Sequence, residues 1–159
     1  MLTVGDLQDQ GLTELLARYR TRRIDVPAGA AIPGSYWGAP EAGLLGDALV
    51  LRADTPLHSA LHELAHRVCM DDARRRQLDT DAGGSDEEEC AVCYLQLLLA
   101  DCLPGVGHAR LLADMDAWGY SFREGSAAAW VAGDGREARE WLVRRGLIDT
   151  RGRPTWRLA

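Results

Sequence analysis

The run from Thr55-Pro56 to Asp72 constrains the fold of this chain more than any other segment. Thr55 suits a helix N-cap. Proline is tolerated at the first helical position because its missing N–H would have no partner there. From that start Leu57, Leu61, Leu64 and Val68 recur at helical spacing. They predict a helix over 56–71 with this stripe on the core. His58, His62, His66 and Cys69 fall on the adjoining stripe, and Glu63 lies on the flank of His62 and His66 away from the core.

The flanking sequence supplies the other elements. DLQDQGLTELLARYRTRR reads as a helix through Leu12, Leu15, Leu16 and Tyr19. Residues 27–42 hold three prolines and read as an irregular surface segment. GLLGDALVLR has two short apolar runs around Gly46-Asp47, a tight hairpin. After a polar loop, DTDAGGSD, a second strong helix is predicted from about Glu87 to Leu103, stopped by Pro104-Gly105. Further helices are predicted over 107–118, 126–133 and 135–146, with a loose or strand-like tail, TRGRPTWRLA. The order defines an α+β fold in a single domain over 1–159, predominantly helical, with a small antiparallel sheet before the histidine helix.

Composition excludes several classes. A 47% apolar and 26% charged chain is ordinary for a soluble globular protein. A net charge of -6 argues against a general nucleic-acid partner. No apolar run reaches membrane-spanning length, so no membrane partner is expected. The polar N-terminus is unlike a secretory signal, and the four cysteines read as reduced thiols in the cytoplasm.

His62-Glu63-Leu64-Ala65-His66 carries the chemistry. Two imidazoles one helical turn apart bind one zinc ion, and the intervening glutamate takes the proton of the attacking water. A third protein ligand is needed, and the nearest candidates are Asp86, Glu87, Glu88 and Glu89. Glu88 shares its face with Ala91, Val92, Leu95 and Leu99, an apolar stripe on which a free carboxylate would be a costly unpaired charge. Zinc would remove that cost, which favours Glu88. Glu89, on the face of Cys93, Gln96 and Ala100, is the fallback. The alternative is that the acidic run only complements the helix N-terminus.

This pair of helices resembles the gluzincin metallopeptidases, and in particular the small ImmA/IrrE-type peptidases. Glu88-Glu89-Cys90-Ala91-Val92, then Tyr94 and Leu98-Leu99, is similar to that family's second helix, with Cys90 and Val92 where it favours Glu and Asn. The likeness spans Leu49 to Leu103. It implies a zincin-like fold, Zn2+ held by His62, His66 and Glu88, Glu63 as general base, and a peptide or protein substrate. The hairpin at 43–52 would offer an edge for an extended peptide. The alternative is a metal-binding regulatory or interaction protein without turnover.

Other residues carry weaker expectations. His58 is a helix-start residue or a group near the substrate. Cys69 is a buried thiol, or a fourth ligand that would close the site. Cys90-x-x-Cys93 lacks a second pair for a separate zinc site. Tyr120 or His108 could stabilise an oxyanion, and Asp114 or Asp116 could orient a ligand histidine. Arg74-Arg75-Arg76 reads as a solvated helix end.

Overall fold

The computed structural model describes residues 1–7, 10–122 and 124–159. Helix α1 (Gln10–Arg18) buries Leu12, Leu15 and Leu16 and leads into strand β1 (Arg22–Asp25). The sequence reading carried this helix through Arg23, and the structure stops it earlier. Arg20 N–H bonds Ala17 O and Thr21 N–H bonds Leu16 O, a Schellman close. Arg20, at φ 50°, holds the left-handed position usually given to glycine, so the stop carries no glycine signal.

Strands β2 (Gly43–Leu45) and β3 (Ala48–Leu51) form the expected hairpin, with Gly46 at φ 57° in its turn. β3 is central, in the order β1-β3-β2, and is buried along its whole length. The sheet is mixed, not antiparallel: β2 runs antiparallel to β3, while β1 lies parallel to it with Arg22 opposite Ala48. β1 escaped prediction because Arg-Arg-Ile-Asp has no apolar alternation; its face is mostly exposed. The hairpin edge is also not free for a peptide. Leu44 N–H bonds Gly34 O, Thr80 N–H bonds Leu44 O and Gly46 N–H bonds Leu78 O, so the backbone groups of β2 are already paired. Gly43 permits this wrapping: a Cβ there would overlap Pro33 O.

Helix α2 (Leu57–Cys69) follows, capped at Pro56 and ending two residues before the expected stop. Thr55 is not the cap; its hydroxyl accepts from Arg52 N–H at 2.9 Å and tightens the preceding turn. All of α2 is buried except His62 and Glu63. A short helix α3 (Asp72–Arg76), absent from the sequence reading, is capped by Asp71. Helix α4 (Asp86–Asp101) begins at Ser85, whose hydroxyl accepts from Glu88 N–H. Helices α5 (His108–Trp118), α6 (Ala127–Ala132) and α7 (Gly135–Arg144) match the expected segments to within two residues.

α4 is the axis of the helical layer, packed most extensively on α2 on one side and α7 on the other. Its Ala91, Val92, Leu95 and Leu99 are fully buried, and a continuous apolar cluster runs from Val4 to Ile148. The tail is not loose. Trp156 packs on Tyr19 and under Arg18, and Ala159 N–H bonds Val68 O at 2.9 Å, closing over the end of α2. Among the described residues no helix is long and apolar enough to cross a membrane.

Candidate metal centre

Helical spacing sets the site. On α2, Ser59, His62, Glu63 and His66 occupy i, i+3, i+4 and i+7, and all four line one cleft of about 600 Å³. α4 crosses this face and contributes Glu89, while Glu41 and Asp81 come from the loops on either side. Ala42 N–H donates to Ser59 Oγ at 3.0 Å, tying the Glu41 segment to the same face of α2.

Three side chains converge. His62 Nε2 lies 3.1 Å from His66 Nε2 and 3.2 Å from Glu89 Oε1; His66 Nε2 lies 3.3 Å from Glu89 Oε2. Two imidazole nitrogens so close cannot both carry protons toward each other, so a proton or a cation must sit among the lone pairs. A tetrahedral ion with bonds of about 2.0–2.1 Å needs donors about 3.3 Å apart, and these spacings match. Among the described residues His62, His66 and Glu89 are the group whose donor atoms lie together in this way.

Gln96 fixes the chemistry of His62. Its amide nitrogen faces His58 O at 3.4 Å, so its Oε1 must face His62 Nδ1, at 2.7 Å. Nδ1 therefore donates, which leaves Nε2 as the donor atom for a metal. Burial works against charge on His62, yet the surrounding Tyr120, Cys93 and Glu89 groups hold it well above its ordinary value. Burial and then the charge of His62 pull His66 down to about 4. Glu89 is held low against its burial by the His62 hydrogen bond.

The third ligand expected from sequence was Glu88, and its side chain is committed elsewhere. Both its oxygens accept from Arg74, each at 2.9 Å. The cost of an unpaired carboxylate beside an apolar stripe is met by this guanidinium, not by a metal. The arginine run is accordingly no solvated helix end. Arg74 pairs with Glu88 and Ala82 O, Arg75 is buried and donates to Arg67 O and Met70 O, and Arg76 alone points to solvent. Glu89, the fallback, is the carboxylate beside the imidazoles.

Glu63 faces the cleft, and among the described residues it has no hydrogen-bond or ion-pair partner beyond the field of its neighbours. Burial pushes its carboxyl up to about 7, with His62 opposing and Glu41 and Glu89 adding to the rise. Tyr120 also enters the cleft. α5 ends in a Schellman close at Gly119 (φ 102°), with Tyr120 N–H on Met115 O, and this turn aims the phenol back at α2. Its hydroxyl meets His58 Nδ1 at 3.2 Å, and burial holds it up at about 12, so it stays a hydrogen-bond donor at neutral pH.

The remaining candidates resolve as follows. His58 is fully buried against Trp118 and braces Tyr120. Cys69 lies in the core, where burial keeps its thiol protonated, and is not among the converging donors. Cys93, one turn past Glu89, is the thiol near the centre, 4.0 Å from Glu89 Oε1. His108 is exposed and pairs with Asp101. Asp114 accepts from Leu2 N–H and Asp116 from Ala127 N–H, so neither orients a ligand. Gln96 is the residue that orients one of the paired histidines, and it was missed. Its signal was a polar residue seven positions after Glu89 inside an apolar run.

His58 makes stability acid-sensitive. Burial, and then His62, lowers its folded pKa from 6.5 to about 4, against Asp114. The unfolded chain therefore takes up this proton first as pH falls, so stability is full above about 6.5 and drains away toward 4. The loss is at most about 3 kcal/mol. Urea midpoints of the metal-free protein at pH 7.5 and 4.5 should differ less in His58→Gln than in the parent.

Comparison with known protein families, with curated proteins and with solved structures returned no match.

Proposed function

We propose that this chain is a zinc-dependent metallopeptidase of zincin-like architecture. What carries the proposal is the convergence of His62 Nε2, His66 Nε2 and the Glu89 carboxylate beside Glu63, which has no hydrogen-bond partner among the described residues, in one open cleft. The order of a small sheet, the His-Glu-x-x-His helix and a second helix bearing the third carboxylate supports it. Bound at these donors, zinc would supply Lewis acidity, bringing the pKa of water toward roughly 7 and polarising a carbonyl. Glu63 accepts the proton of the attacking water and returns it to the departing amine. Raised to about 7 by burial and lowered by a nearby cation, its pKa would lie between 7 and the ordinary 4.5, a range that serves both halves of that transfer. Tyr120, kept protonated, donates a hydrogen bond to charge developing on the carbonyl oxygen. Gln96 holds His62 in the tautomer that leaves Nε2 free for the ion.

Protein purified without added metal should carry about one zinc per chain and should cleave members of a random peptide mixture. Chelation should stop cleavage and zinc should restore it. Protein that binds no zinc in equilibrium dialysis sinks the proposal. Zinc without cleavage of any peptide favours the metal-binding regulatory alternative.

A further inference from the structure

Among the described residues, three of the five large apolar side chains that stand exposed line the cleft of the metal centre: Tyr36, Trp37 and Trp118, at 56%, 76% and 40% exposure. Rings left in water around one opening mark a binding surface. The same cleft is lined by Glu41, Glu63, Asp81 and Glu89, and no arginine or lysine lines it among the described residues. Glu89 is used by the metal centre and Glu63 by proton transfer. Glu41 is left over, while Asp81 already accepts from Gly83 N–H and lies in the field of Arg74. Glu41 interacts with His62 and Glu63, and Asp81 with His66. Among the described residues no side chain donates a hydrogen bond to the Glu41 carboxylate. A divalent ion would offset only part of this charge.

We propose that the cleft takes peptide segments bearing a lysine or arginine side chain beside the bond to be cut, with the cation at Glu41 and its methylene stem over the Trp37 and Trp118 rings. The inference rests on the cleft being the substrate site of the peptidase proposed above. The chemistry is complementary on both counts. An indole face attracts a cation, and a flexible aliphatic stem covers apolar surface that a compact acidic or small polar side chain would leave wet. An anionic side chain would instead meet the Glu41 carboxylate and the acidic lining of the cleft. The free amine of a peptide N-terminus shares the charge but has no stem to lie on the rings.

The test is calorimetric titration of the Glu63→Gln protein with N-acetylated, C-amidated alanine hexapeptides differing only in a central Lys, Gln or Glu. The Lys peptide should bind about tenfold tighter than the Gln peptide, the size of one cation–aromatic contact joined to one ion pair, with the Glu peptide weaker still. Trp37→Ala, at an exposed ring, and Glu41→Gln, at a half-buried carboxylate, should each shrink the Lys-to-Gln ratio to about threefold or less, with circular dichroism showing the fold intact. Equal binding of the three peptides, or a ratio unchanged in both variants, overturns the inference. So does binding that appears only when the acetyl group is removed, which would assign the charge to a chain end. Selective binding of the Lys peptide by a protein that cleaves nothing upholds this inference and sinks the peptidase. Cleavage that prefers Gln or Glu peptides does the reverse.

Discussion

Glu63→Gln is expected to leave zinc content unchanged and to lower peptide hydrolysis by about 10²–10⁴-fold, the range for loss of a general base. The substitution is close to isosteric, and the carboxylate it removes has no hydrogen-bond partner among the described residues, so no packing or pairing is lost with it. What disappears is the capacity to take a proton at neutral pH. The fall should appear in kcat, with KM little changed, because the group acts on water and not on the bound chain. The pH profile gives a second readout. A raised carboxyl must lose its proton to act as base, so kcat/KM should fall as pH drops through its pKa. A nearby cation lowers that value from about 7 toward the ordinary 4.5, so the limb should lie between them and vanish in the variant. Full activity in Glu63→Gln would remove the residue from the mechanism.

The second large effect separates two neighbouring glutamates. Glu89→Ala should weaken zinc binding by more than about 100-fold, beyond the 10–100-fold typical of a residue that only supports a ligand. Glu88→Ala should keep the zinc and lose stability instead. Its partner Arg74 is about one-third exposed and Glu88 itself about one-tenth, so the pair lies between an exposed ion pair and a buried one. A loss of about 2 kcal/mol is expected, read as a lower melting temperature. Equilibrium dialysis with zinc, run beside thermal melts of both variants, distinguishes them. Zinc lost from Glu88→Ala and kept by Glu89→Ala would reverse the assignment.

The fold was readable where periodicity carried it. The stripes on α2 and α4, the proline and glycine that stop α4, and the Gly46-Asp47 turn each announce one element. What stayed hidden had no local signal. β1 is a strand because β3 offers it a parallel edge, not because Arg22–Asp25 alternates. The α1 stop is an arginine in a glycine's conformation. At the site, His62, Glu63 and His66 follow from spacing alone, since one helix sets their geometry. Which carboxylate meets the histidines depends on how a second helix is rotated about its axis, and that rotation is fixed by long-range contacts. Arg74 claims Glu88, and Gln96 claims His62. The arginine run was read as solvent-facing charge and Glu88 as a ligand, each without the other, although Arg74 and Glu88 are partners.

Glu88 and Glu89 stand side by side on the first turns of α4, yet one latches the Ala82–Gly83 wall of the cleft through Arg74 and the other faces the histidines. A helix turn is too stiff to move one without the other. The wall and the Glu89–histidine cluster are therefore built to a common gauge: a shift of α4 that parts Glu89 from the histidines also slackens the rim over them.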